Sequence, residues 1–222
     1  MAKTAIVLGA TGLTGNMLLK MLLDDERYDH VTVFGRNSVE LKHPKLEEYI
    51  IDLFQLDHYA NKFKADEVYC CIGTTKAKTS NKDTYVKIDY GIPVAAAKLC
   101  KENGIPTFVV ISALGAKKNS KVFYNRTKGL MEAAVLDLQI PQTYILQPSL
   151  ITGEREEIRL GEHIFKILMN FIKPIFRFGD LKRYQPIAPE TIAKTMVWVA
   201  NNDYESVRIK SKKIQELGEQ IN

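Results

Sequence analysis

The chain has 222 residues, 45% of them hydrophobic and 26% charged, and a net charge of +5. This length suits one domain that buries roughly 70% of its unfolded surface and needs no disulfide or metal staples. The mild charge argues against a nucleic-acid partner, and no apolar run reaches the ~20 residues of a membrane-spanning helix, so no membrane association is expected.

Thr4–Gly9 (TAIVLG) is a short apolar run that ends in glycine, which predicts a buried first strand. From Gly12 to Leu23, Leu13, Met17, Leu18, Met21 and Leu22 fall on one helical face. Runs at His30–Gly35, Glu47–Ile51, Glu67–Ile72, Pro106–Ser112 and Gln142–Gln147 predict five further strands. Helices are expected over Asn81–Asn103, closed by Gly104, and over Ser120–Leu138. This alternation predicts an α/β fold, a Rossmann-type doubly wound parallel sheet with helices on both faces. Further on, Arg159–Ile172, ended by Pro174, and Glu190–Ala200 read as amphipathic helices. Ser206–Leu217 reads as a final edge strand, with Val207 and Ile209 inward and Arg208, Lys210 and Lys212 in water. No linker interrupts the chain, so residues 1–222 are expected as one domain, in which about 151–222 make a small C-terminal lobe on the substrate side. Cys70, Cys71 and Cys100 have no metal-ligand spacing and read as buried reduced thiols, which with the N-terminal sequence predicts a cytoplasmic protein without a metal.

The turn after the first strand reads Gly9-Ala-Thr-Gly12-Leu-Thr-Gly15, a relative of the dinucleotide-binding fingerprint in the required strand–turn–helix setting. Gly9 allows the tight turn, Gly12 lets the backbone approach a pyrophosphate, and Gly15 lets helix and strand pack closely. Helix N–H groups then face the phosphates. Gly9, Thr11, Gly12, Leu13, Thr14 and Gly15 are therefore candidate cofactor contacts; no Gly-Lys-Ser/Thr follows, which excludes a Walker loop. The second strand ends Val33-Phe34-Gly35-Arg36 with no carboxylate for ribose hydroxyls. A guanidinium there suits a 2′-phosphate, so NADP(H) is expected ahead of NAD(H) unless Arg36 is a solvated turn residue. Asp52, followed by Leu53, is a candidate for the adenine edge or a helix cap.

Ser112 closes the fifth strand, and Tyr124 and Lys128 follow at i, i+4 spacing on the next helix. These residue types suit carbonyl–alcohol chemistry. A nearby ammonium is expected to lower the pKa of a phenol, which then exchanges a proton with the substrate oxygen, and a serine hydroxyl orients that oxygen.

With these residues in place the chain resembles the short-chain dehydrogenase/reductase superfamily. Within it, the chain is similar to the atypical branch typified by the Tat-interacting-protein oxidoreductases and their bacterial homologues. The resemblance rests on Gly9–Gly15, Cys70-Cys-Ile-Gly-Thr-Thr75, Lys87-Ile-Asp89-Tyr90, Ile111–Ala116, Tyr124–Lys128 and Gln147–Gly153. It implies a cytoplasmic NADP-binding protein with Ser112, Tyr124 and Lys128 in the triad positions. It also implies that Gly73 and Thr74 line the cofactor and that Pro148 and Ser149 flank the nicotinamide. The asparagine that often completes the set has no clear counterpart. Two functions are carried forward: an NADP(H)-dependent oxidoreductase of a small carbonyl or alcohol, and a non-catalytic NADP(H)-binding regulator or sensor with a protein partner. An epimerase or dehydratase is disfavoured because about 70 C-terminal residues are few for a nucleotide-sugar site. The exposed helix faces leave room for a homodimer without demanding one.

Overall fold

The computed structural model describes residues 2–75, 79–151 and 185–220. Seven parallel strands form one sheet in the order β3-β2-β1-β4-β5-β6-β7. They are β1 (Lys3–Leu8), β2 (Tyr28–Gly35), β3 (Leu46–Ile50), β4 (Glu67–Cys70), β5 (Thr107–Ile111), β6 (Gln142–Gln147) and β7 (Arg208–Lys210). The helices are α1 (Leu13–Asp24), α2 (Lys82–Val86), α3 (Ile92–Glu102), α4 (Phe123–Asp137), α5 (Pro189–Ala200) and α6 (Ser211–Gln220). The fold is therefore the Rossmann-type doubly wound sheet that the alternation predicts.

Both faces of the sheet are covered, so its central strands are apolar without alternation. On one face α1 and α5 bury Leu18, Leu22, Ile192 and Met196 against Val7, Val33 and Leu146. On the other, a 3₁₀ turn at Leu53–Tyr59 together with α3 and α4 buries Leu56, Leu99 and Met131 against Ile6, Phe34, Phe108 and Val110. The strand order reverses at β1, with β2 on one side and β4 on the other. A crevice forms beyond the carboxyl ends of strands at such a switch point.

The long helix expected over Asn81–Asn103 is broken by a π turn at Lys87–Gly91. Pro93 supplies the cause. It has no N–H to give to the carbonyl of residue 89, and its ring crowds that carbonyl. The chain accommodates it by a wider turn, in which the Ile92 N–H bonds to the Lys87 carbonyl. Asp89 lies inside this turn and is fully buried.

The C-terminal end departs from expectation. The strand over Ser206–Leu217 shrinks to the three residues of β7, and α6 takes the rest. Ser211, Ile214, Leu217 and Gly218 are buried at helical spacing, while Lys212 and Lys213 sit on the helix and pair with Glu216 at 3.7 and 3.4 Å. Ile209 faces inward as expected, but Val207 keeps 39% of its surface open. The segment expected as the Arg159–Ile172 helix lies outside the described residues.

Candidate functional site

The glycine loop has the shape its spacing predicts. Gly9 sits at φ +85°, and a Cβ there would come within 2.9 Å of the Cys71 carbonyl carbon. A Cβ on Gly15 would meet the Gly9 oxygen at 2.1 Å, so only glycine lets the first turn of α1 rest on the loop. Gly12 caps α1 without a side chain, its own N–H bonding the Gly9 carbonyl at 3.0 Å. The first N–H groups of α1 are thus left for an anion. Thr11 and Gly12 are exposed and Leu13 half-buried, whereas Thr14 is buried. A glycine cradle with free amide donors fits a pyrophosphate.

Arg36 stands exposed just past the end of β2 and has no ion-pair partner among the described residues. Asp52 proves to be a cap: its Oδ1 accepts from the Phe54 N–H at 3.0 Å at the start of the 3₁₀ turn. Leu53 instead lines a cavity of about 340 Å³ between that turn and α3, with Phe54, Lys87, Gly91, Ile92 and Ala95.

Three elements meet beyond the carboxyl ends of β4 and β5. Lys128 of α4 is 3% exposed, and its Nζ lies 2.9 Å from Asp89 Oδ1 and 3.4 Å from the Ile111 carbonyl. Asp89 Oδ2 accepts from the Thr74 N–H at 2.8 Å. Gly73, exposed, lies against the pair: a Cβ there would be 3.6 Å from Asp89 Oδ1 and 3.7 Å from Lys128 Nζ. Asp89 Oδ1 is buried and, among the described residues, meets only the Lys128 ammonium. Tyr85 closes the back by donating to the Thr74 carbonyl at 3.2 Å. One turn before Lys128, Tyr124 keeps 40% of its surface open.

The electrostatics differ from the sequence expectation. Burial raises the pKa of the Tyr124 phenol, Lys128 opposes the rise and Asp89 adds to it, and the net shift is upward. Lys128 fails to lower it because burial, the largest effect, and the Asp89 charge together outweigh it. For Lys128 itself, burial pulls the pKa down, but Asp89 and Tyr124 outweigh it and the ammonium is strengthened. Asp89 was legible only as part of the Lys87–Tyr90 resemblance; the proline four residues later is the signal that turns it inward.

Ser112 also differs. It is 3% exposed, and its hydroxyl donates to Glu132 Oε1 at 2.5 Å. Pro148 is buried and its carbonyl accepts from the Leu114 N–H at 2.8 Å. The Ser149 hydroxyl donates to the Gln185 carbonyl at 2.5 Å, so that side chain too is engaged. Among the described residues there is no cluster of three or more His, Cys, Asp or Glu side chains placed to hold a metal. Nor is any helix among them long and apolar enough to cross a membrane.

Residues 9–150 match a family described as NAD(P)H-binding. The chain belongs to this NAD(P)H-binding family. It is 31% identical over 202 residues to Protein FMP52, mitochondrial, of Debaryomyces hansenii, covering 89% of this chain and 88% of that one. To Protein HTATIP2 of Rattus norvegicus it is 34% identical over 164 residues, 72% of this chain and 67% of that one. The family thus includes the Tat-interacting proteins that the sequence resembles. The fold is shared with the UDP-glucose 4-epimerase of Thermotoga maritima, at a TM-score of 0.69 and 16% identity over 98% of this chain and 82% of that one. One expectation is overturned. Relatives from Debaryomyces hansenii, Meyerozyma guilliermondii and Candida albicans are named mitochondrial, which contradicts the cytoplasmic location read from the cysteines and the N-terminus. Reduced cysteines report a reducing compartment, and the cytosol is not the only one.

Proposed function

We propose that this chain is an NADP(H)-dependent oxidoreductase of short-chain dehydrogenase type, acting on a small carbonyl or alcohol. One observation carries the proposal: a buried Lys128–Asp89 pair set beside an open Tyr124 and an exposed Gly73 beyond the strand ends. A soluble helix has little reason to bury an ion pair next to a glycine unless a polar group approaches there.

The glycine loop would hold the pyrophosphate, with Gly73, Thr74 and Pro148 along the nicotinamide half and Leu53's cavity taking one edge of the adenine. The bound nicotinamide supplies or accepts the hydride. Tyr124 gives its phenolic proton to the carbonyl oxygen. Lys128, one turn on, stabilises the phenolate that remains, and Asp89 keeps Lys128 charged. A phenol held protonated is the form that donates in carbonyl reduction, and the Lys128 charge opposes the loss of acidity that burial imposes on it. The exposed guanidinium of Arg36, unpaired among the described residues and standing where a carboxylate would serve NAD(H), supports NADP(H). The sensor reading draws on one fact, the engagement of Ser112 with Glu132, and does not account for the open Tyr124 beside a charged lysine.

Melting curves with NADPH and NADH test the cofactor, since a ligand of the folded state raises the midpoint. Arg36→Ala is expected to weaken NADPH by about 10- to 100-fold, the equivalent of a lost charge-assisted contact, and to leave NADH unchanged. Turnover of a carbonyl panel tests the chemistry: Tyr124→Phe is expected to lower kcat by about 10²- to 10⁴-fold with NADPH affinity retained. NADPH stabilisation with no turnover of any carbonyl would move the conclusion to the sensor.

A further inference from the structure

Glu132 lies one turn beyond Lys128 and two beyond Tyr124, so α4 carries the three along one stripe. It is 2% exposed, yet three donors converge on it from three strands. Ser112, just past β5, donates to Oε1 at 2.5 Å, and Gln147, at the end of β6, donates to the same oxygen at 2.8 Å. Arg208 of β7 donates through Nε to Oε2 at 2.8 Å and forms an ion pair with it. A hydroxyl has one hydrogen to give. That of Ser112 is spent on a buried carboxylate, and the residue has almost no open surface.

We propose that Ser112 does not contact substrate but forms, with Glu132, a clamp that sets how α4 meets the strand ends. Glu132 is a positioning residue. It ties the middle of α4 to β5, β6 and β7 at once, and so fixes the depth at which Tyr124 and Lys128 reach the opening. Arg208 supplies the compensating charge that a buried carboxylate needs. The proton for the substrate oxygen then comes from Tyr124 alone. This inference rests on the oxidoreductase reading for its kinetic consequences, while the clamp itself is a property of the folded chain.

A double-mutant cycle tests it, with NADPH consumption followed on phenanthrenequinone and a panel of aldehydes. The variants are Ser112→Ala, Glu132→Ala, the two combined, and Glu132→Gln. Each single alanine is expected to lower kcat about tenfold, with KM and the NADPH Kd from fluorescence titration close to those of the unmodified protein. The double variant is expected to fall no further than the worse single one, because both remove one shared interaction. Glu132→Gln keeps an acceptor oxygen for Ser112 and is expected to recover most of the kcat lost in Glu132→Ala. A loss of about 100-fold or more in Ser112→Ala that multiplies with Glu132→Ala would place Ser112 on the substrate and overturn the clamp. Melting midpoints of the same proteins without cofactor form a second cycle. Coupled losses uphold the clamp and additive losses overturn it, even if the unmodified protein reduces no probe and the oxidoreductase reading fails. Should Glu132→Ala not fold, Glu132→Met, which fills the same space but also removes the acceptor for Ser112, takes its place in the cycle under the same criteria.

Discussion

Glu67 and Asp89 are buried at opposite ends of the same sheet, and their surroundings differ in one respect. Glu67 opens β4 at the amino end, 1% exposed. It accepts from Tyr28 at 2.6 Å, Tyr69 at 2.5 Å and Lys3 at 2.7 Å. Asn201, past the end of α5, closes the cluster by donating to the Tyr28 oxygen at 2.6 Å and accepting from Lys3 at 2.9 Å. Asp89, at the carboxyl end, has only one lysine and one backbone N–H among the described residues, and an exposed glycine against it. A buried acceptor that is saturated has nothing left for a ligand and serves the fold. One that is short of donors beside an opening is held at a cost that the fold alone does not repay. Glu67 is therefore read as a fastening of the sheet, as Glu132 is at the other end, and the corner around Asp89 as the working face.

The largest expected effect tests this division directly. Glu67→Ala strands two phenols and Lys3, and is expected to cost about 3 kcal/mol in urea unfolding, the lower end for breaking a buried pair, because Lys3 is partly open to water. The NADPH Kd should not change. A loss of NADPH affinity in protein that remains folded would show that the two ends are coupled and break the comparison.

Alkaline pH gives a smaller and graded effect. The Tyr28 phenol is raised well above its ordinary value of 10.0, by burial first and then by the Glu67 charge. Tyr69 moves the same way through burial, Tyr28 and Glu67. The folded chain keeps these protons where the unfolded chain loses them. Their contribution is complete below about pH 10 and declines as pH rises above it, by at most about 1.4 kcal/mol per unit for each phenol. Urea midpoints should hold steady to about pH 9 and then drop, and Tyr28→Phe should flatten the drop. An unchanged slope in that variant would mean that other groups govern the alkaline limit.

Much of the working face was legible because it depends on local backbone chemistry. Gly9 and Gly15 declare a turn that a side chain would block, and five of the first six strands announce themselves as apolar runs. What escaped depends on partners distant in sequence. Asp89 is turned inward by Pro93 and matters only because α4 brings Lys128 to it. Ser112 reads as a triad member, but its hydroxyl donates its hydrogen bond to Glu132, twenty residues on. Tyr124 was expected to be a more acidic phenol, and the burial and the Asp89 charge that reverse this are features of the assembled site. At the C-terminus the error was one of period: Ser211, Ile214, Leu217 and Gly218 carry a helical spacing that a run of alternating lysines obscures.

A third carboxylate sharpens the comparison from the exposed side. Asp52 lies on the working rim, where the sequence leaves it either to the adenine edge or to a cap, and its oxygen accepts from the Phe54 N–H. If the cap is its whole role, Asp52→Ala costs about 1 kcal/mol in unfolding and leaves the NADPH Kd within about twofold, while Asp52→Asn preserves stability because asparagine caps as well. If Asp52 also meets the adenine, alanine and asparagine part company from this pattern: both weaken NADPH, and asparagine does so without loss of stability. Unfolding curves and NADPH titrations on the two variants decide between these roles. The second outcome would mean that position on the rim, rather than a shortage of donors, is what marks a ligand contact in this sheet.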